Sequence, residues 1–429
     1  MTIKTLRAGA KPATLTLYRL RITNHMPDEL GFSAERLARI DRFLAEKYID
    51  KGKLAGTLTL VARHGDIAHL GVTGHADVAT GKPMAEDTIF RIYSMTKPIT
   101  SVALMMLVEE GRIALEDPVH RYIPEWKGLS VFAAGTHKTG FATTPVKRPM
   151  LVVDLLRHTA GLTYGFQLRT NVDAGYRAHR IGEIEKSGTL AEMIAALGKM
   201  PLEFSPGDAW NYSVATDVCG WLVQVVSGQN FEDFLEQRLF APLGMVDTGF
   251  HVRPGQEHRF ASCYQPTQNG GIAVQDDAVD SSFLKPAAFI SGGGGLVSTA
   301  LDYLRFCTML LNGGTLDGTR YISRKTIDLM TANHLPGNNS IAAMSKSLFS
   351  EAAYDGIGFG LGFATTMDAA KTLMPGSDGD YFWGGAASTF FWIDPAEDII
   401  VIFMTQLIPS STYPVRRELR TMVYSALDD

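Results

Sequence analysis

Cysteine is scarce in this chain. Cys219, Cys263 and Cys307 are the only three in 429 residues, too few and too widely spaced for a disulfide framework or a zinc site. They read as small buried apolar residues. A basic excess is also lacking. The net charge is −5 and no dense Lys/Arg run occurs, so neither nucleic acid nor an anionic membrane surface is expected as a partner. No uninterrupted apolar stretch approaches the roughly 18 residues of a spanning helix. His-Glu-x-x-His is absent, and Asp378 with Asp380 in a Gly-Ser loop reads as a solvated turn. No metal or cofactor is therefore expected. The N-terminal segment carries Lys4, Arg7, Lys11, Arg19 and Arg21 without an apolar core of secretory length, which points to a cytoplasmic protein with an N-terminal extension over residues 1–32.

What is present is ordinary globular material, 45% hydrophobic and 20% charged, enough for a large core. Leu37, Ile40, Phe43, Leu44 and Tyr48 form one stripe of a helix from about Ser33, its cap, to Tyr48. Thr57–Arg63 and Asp66–Thr73 alternate like two strands joined across His64-Gly65. From about Gly111 to Leu284 the pattern is mainly helical, with no strong strand pair. Helices are expected over Leu151–His158, Ala191–Leu197, Ser213–Ser227 and Phe231–Phe240, and later over Thr299–Leu311. The four glycines 292–295 have no phosphate-loop spacing and read as a tight turn against the sheet. Strands return at Phe359–Thr366, Tyr381–Gly385, Ser388–Ile393 and Ile399–Thr405, before a closing helix over Pro414–Leu427. This order predicts an α+β fold of layered α/β type: one antiparallel sheet built from both ends of the chain, flanked by helices. The expected domain spans 33–427, with 33–110 and 285–427 as its sheet-and-helix part and 111–284 as its mainly helical part.

Three segments carry candidate chemistry. Ser94 and Lys97 stand three apart where the apolar run Ile99–Val108 begins, a spacing that places both side chains on one helix face. A serine hydroxyl attacks only if a base takes its proton, and a lysine serves only if burial lowers its pKa. The run is apolar on nearly every side, as in a helix buried all round, and would put Ser94 at its positive end. Tyr212, at a loop-to-helix junction, is a second candidate base, because a phenol beside a lysine ammonium spends more time as phenolate. Trp383-Gly384-Gly385-Ala386 begins a C-terminal strand whose paired glycines suit close approach by a backbone or ligand.

Taken together, Ser-x-x-Lys, a tyrosine over 100 residues later and a small-residue strand near the C-terminus resemble the class C β-lactamase and penicillin-binding-protein superfamily. Leu155–Leu162 (LLRHTAGL), Phe204–Ser213 (FSPGDAWNYS), Pro242–Met245 (PLGM) and Gly293–Phe306 strengthen the resemblance in order. The superfamily's β-lactamases have Tyr-x-Asn where this chain has Tyr212-Ser213-Val214, and Lys-Thr-Gly where it has Trp383-Gly384-Gly385. The literal Lys138-Thr139-Gly140 precedes Tyr212 and reads as coincidence. These departures are similar to those of the family VIII carboxylesterases. That resemblance implies an acyl-enzyme on Ser94, Lys97 and Tyr212 sharing the work of base and acid, and an oxyanion hole from the amides of Ser94 and Ala386. It also implies a small ester substrate, short-chain or aryl, against Trp383, Gly384 and Gly385. Phe132, Tyr164 and Phe166 are candidate pocket residues by composition. An acyltransferase, a weak β-lactamase or an amide hydrolase on the same fold, or a silent binding or scaffold protein, are the competing readings. Self-association is left open.

Overall fold

The computed structural model describes residues 26–185, 187–346 and 354–428. Most of the expected N-terminal extension, residues 1–25, lies outside the described residues. Leu30 and Phe32, at its end, are buried, and Phe32 bridges to Leu427.

Eight strands form one antiparallel sheet. In chain order they are β1 (Gly56–Arg63), β2 (Asp66–Asp77), β3 (Lys82–Pro83), β4 (Ile357–Phe359), β5 (Ala364–Thr366), β6 (Tyr381–Gly384), β7 (Phe390–Asp394) and β8 (Ile399–Met404). Their spatial order is β4-β5-β6-β7-β8-β1-β2-β3. The two ends of the chain thus meet at the centre, where Leu58 lies opposite Met404 and Arg63 opposite Ile399.

The side-chain period of two divides each central strand between two cores. Leu58, Leu60, Phe391, Ile400, Ile402 and Met404 face the larger one. Val61, Phe390, Trp392, Val401 and Phe403 face a smaller one, closed by α1 (Ala34–Leu44) and the C-terminal helix α5 (Val415–Tyr424). Ser33 caps α1 by accepting the Arg36 amide. The larger core holds α2 (Thr96–Glu109), buried on every side from Thr96 to Leu107, packed against α3 (Ala215–Ser227). It also holds α4 (Ala300–Leu311), which rests on β7 and β8 with Thr299 as its cap.

Three expectations are corrected. The middle region contains a hairpin, Ser130–Thr136 with Gly140–Pro145, and a second strand pair, Cys263–Pro266 with Ile272–Asp276. The first hairpin is largely exposed and rich in Thr, Ala and Gly, so it lacks the apolar alternation by which a half-buried strand is read. Phe359–Thr366 is not one strand: Phe359 pairs with Ala364 across a turn whose Leu361 and Phe363 are buried, and apolar turn residues made the run look continuous. Asp380 is not solvated. It is buried, accepts from Thr366 Oγ1 at 2.7 Å and pairs with Arg420 of α5 at 2.6 Å, while Asp378 is exposed.

The Arg420 guanidinium also stacks on Trp392, 5.2 Å from its centroid, so this pair fastens α5 to the sheet. Removing one partner strands a buried charge. Asp380→Ala is expected to lower stability by about 3–5 kcal/mol, measured by chemical denaturation.

Candidate active site

Ser94 lies in a short helical turn, Tyr93–Met95, that runs straight into α2. Tyr93 adopts a left-handed φ of 42°, a strained conformation for a non-glycine residue, with its ring edge-on to Phe283. This bend delivers the half-buried Ser94 to the helix start.

Lys97 follows one turn later and is 1% exposed. Its Nζ donates to Ser94 Oγ at 3.1 Å, to Tyr164 Oη at 3.1 Å and to the Gly293 carbonyl at 2.6 Å. Tyr212, in the loop before α3, donates its phenol to the same Ser94 Oγ at 2.6 Å. Asp217, buried in the first turn of α3, accepts from Ser291 Oγ at 2.5 Å and from the Gly293 amide at 3.0 Å. Asp217 therefore pins the glycine turn whose carbonyl receives Lys97.

Burial drives the electrostatics. Desolvation lowers the Lys97 amine from its ordinary 10.5 to about 7, with the Asp217 charge pulling the other way. Desolvation likewise pushes the Tyr212 phenol above its ordinary value, against the hydrogen bond with Ser94. The expectation of a phenolate-leaning Tyr212 is corrected here: burial of the ring outweighs its neighbours, and Lys97 is the group poised to lose a proton near neutrality. His158 is held neutral by burial, its pKa well below the usual histidine range. Its ring packs 5.0 Å from that of Tyr212 and its Nδ1 lies 3.2 Å from Ser213 Oγ.

Ser94 opens into a cavity of about 500 Å³. Tyr164, Phe166, Tyr212, Trp383 and Ala386 are among its walls. Tyr164 stacks on Phe166 at 4.6 Å, and Trp383 packs 5.4 Å from Tyr212. Gly384 and Gly385 line the same cavity where β6 ends. A Cβ on Gly385 would lie 2.4 Å from the Ile92 carbonyl, so only glycine lets the strand end come up to the turn that bears Ser94. The Ala386 amide beyond it donates to no acceptor among the described residues.

The structure thus brings together Ser94, Lys97, Tyr212, Tyr164, Phe166, Trp383, Gly384, Gly385 and Ala386. It does not bring Phe132, which sits in the middle hairpin with its ring edge-on to Phe141, where it fills the hairpin's inner side. Lys138-Thr139-Gly140 forms the exposed turn of that same hairpin. Asp217, the Gly293 carbonyl and the hydroxyl of Tyr164 were not anticipated. An aspartate in a first helical turn is commonplace, and only the contact between α3 and the 291–294 turn gives it meaning. Among the described residues no group of three or more His, Cys, Asp or Glu side chains could hold a metal ion, and no helix is long and apolar enough to cross a membrane.

Comparison with known proteins identifies the family and the fold. A family model described as Beta-lactamase matches residues 40–422. Protein Rv1367c of Mycobacterium tuberculosis is 36% identical over 365 residues, covering 84% of this chain and 88% of that protein. Esterase EstB of Burkholderia gladioli is 29% identical over 425 residues, 93% of this chain and 98% of the esterase. The solved structure of EstCE1, described as a hydrolase with promiscuous acyltransferase activity, matches with a TM-score of 0.77 at 27% identity. That match covers 91% of this chain and 99% of EstCE1.

The lowered Lys97 value fixes a pH dependence. Phosphonylation of Ser94 by a fluorophosphonate should rise with pH, pass half-maximum near 7 and level off above it, as the ammonium gives up its proton. Lys97→Met should abolish the labelling. Between about 7 and 10.5 the unfolded chain holds this proton and the folded chain does not, so wild type gains stability as pH rises through that window. Lys97→Met should lack this increment in thermal unfolding at pH 7 and pH 9.5.

Proposed function

This chain belongs to the beta-lactamase family, and we propose that it acts there as a serine carboxylesterase of the family VIII kind, with Ser94 carrying the acyl group. One observation carries the reading: the Ser94 hydroxyl lies between a buried amine that gives up its proton near pH 7 and a protonated phenol, 3.1 and 2.6 Å away.

Neutral Lys97 removes the Ser94 proton as Oγ attacks the ester carbonyl, forming the C–O bond to the serine. Charge develops on the carbonyl oxygen and is met by the amides of Ser94 and Ala386. The tetrahedral adduct collapses by breaking the bond to the alcohol. Tyr212 gives its proton to that leaving oxygen and is reprotonated from the Lys97 ammonium. Water then enters, the same groups work in reverse, and the acid departs with Ser94 restored.

The apolar walls and the volume of about 500 Å³ suit an ester with an aryl or larger apolar arm beside a short acyl group. Trp383 stands where a β-lactamase presents a lysine, and a β-lactam carboxylate gains no charged partner from it. The same roominess supports a second reading, acyl transfer to an alcohol in place of water. The three free cysteines, all buried, accord with action in the cytoplasm.

Rates on p-nitrophenyl butyrate and on a chromogenic cephalosporin, each with Ser94→Ala as control, test this. Ester turnover should exceed lactam turnover and fall by about 10³-fold or more in Ser94→Ala. Comparable lactam turnover would overturn the specificity assigned to Trp383, and ester turnover surviving in Ser94→Ala would overturn the nucleophile. Added short alcohols should divert part of the product to a new ester if transfer competes with hydrolysis.

A further inference from the structure

The peptide that joins Gly385 to Ala386 is gripped at its oxygen end by an arginine that also lines the cavity. Its carbonyl accepts from Arg416 Nη2 at 2.9 Å and from the Ser388 amide at 3.2 Å. The same Nη2 donates to the Thr389 carbonyl at 3.1 Å, and that carbonyl takes the Gly385 amide at 2.7 Å. One guanidinium nitrogen, from the second residue of α5, thus holds both sides of the β6–β7 turn. The chain makes room for it: a Cβ on Gly384 would lie 2.7 Å from the Arg416 guanidinium carbon. At the other end of the same peptide is the Ala386 amide, which donates to no acceptor among the described residues and lies on the wall of the cavity that Ser94 faces.

We propose that Arg416 is a positioning residue for the oxyanion site, gripping the Gly385 carbonyl so as to aim and polarise the Ala386 N–H across the shared peptide. The proposal rests on Ala386 being an oxyanion donor, as assigned above. A cation at an amide oxygen draws density from the nitrogen, so the N–H becomes a stronger donor, and hydrogen bonds in series reinforce one another. Arginine suits the task because the two hydrogens of Nη2 are fixed in the guanidinium plane, one for each carbonyl, whereas a lysine ammonium turns freely. The guanidinium also stands 5.7 Å over the Phe390 ring, so its position is set by the sheet as well as by the turn.

The test uses the full chain with Arg416→Met, Arg416→Lys and Gly384→Ala. Each is measured for steady-state kinetics on p-nitrophenyl butyrate and for inhibition by a trifluoromethyl ketone, which adds to the serine as an oxyanion-bearing hemiketal. Loss of a whole donor costs about 10²–10³ in turnover, so a loosened and weakened one should cost about tenfold in kcat, with KM unchanged. Affinity for the ketone should fall by the same factor, and Arg416→Lys should recover part of both. Gly384→Ala retains the arginine but displaces it, and should reproduce Arg416→Met. It decides the matter if Arg416→Met does not fold. Unchanged kcat and ketone affinity would overturn the proposal. So would a rise in KM alone, which would make Arg416 a substrate ligand, or a fall in kcat without loss of ketone affinity, which would make its role structural. If wild type neither bound the ketone nor formed an acyl-enzyme, the underlying assignment of the site would fail instead. Tight wild-type binding matched by the variants would sink the role of Arg416 alone.

Discussion

A lysine amine kept out of water is the constraint from which most of this architecture follows. An ammonium in an apolar interior is costly unless its proton is shared or given up. Lys97 does both, with three hydrogen-bond partners and a lowered affinity for its proton. To bury it, α2 must be enclosed on every side, by α3 and by the rest of the larger core. The carboxylate of Asp217 then limits how far the shift runs, because it favours the charged amine.

A second requirement is that backbone meet backbone. The turn bearing Ser94 and the end of β6 come from segments almost 300 residues apart, and they touch through small residues where the Gly385 Cα lies against Ile92. Ser94 and the amides proposed to serve it are thereby placed by rigid elements: one set by the buried helix, the other by the sheet. Side chains such as Trp383 and Phe166 only shape the space between them.

Much of the fold was legible because the signals were local. The alternation in β1 and β2, the stripe of α1 and the all-round apolar α2 each follow from a period in the sequence. Ser94, Lys97 and Tyr212 could be picked out because each sits at the start of a helix, and Ala386 because Trp383-Gly384-Gly385-Ala386 resembles the superfamily's strand. Contacts set only by topology were not legible. Asp217 reaches Gly293 and Asp380 reaches Arg420 across tens of residues, and each aspartate in isolation looks like a solvated polar residue. Arg416 shows the same limit. On an amphipathic helix with arginines at 416, 417 and 420, nothing in the sequence separates the one that turns inward beneath the strand end from a neighbour in water. The exposed hairpin at Ser130–Thr136 was missed for the opposite reason, since a strand pair with little to bury leaves little pattern.

The placement of β8 beside β1 bears on how the molecule comes into being. During synthesis the β1–β2 hairpin emerges early, with one edge of β1 unpaired until Ile399–Met404 arrives to cover it. For most of translation that strand presents unpaired amides and Leu58, Leu60 and Val61, the kind of edge that recruits other chains. Such distant pairing makes a slow folder. The open edge of β1 therefore stays exposed for longer than in a protein of similar size whose sheet closes in sequence.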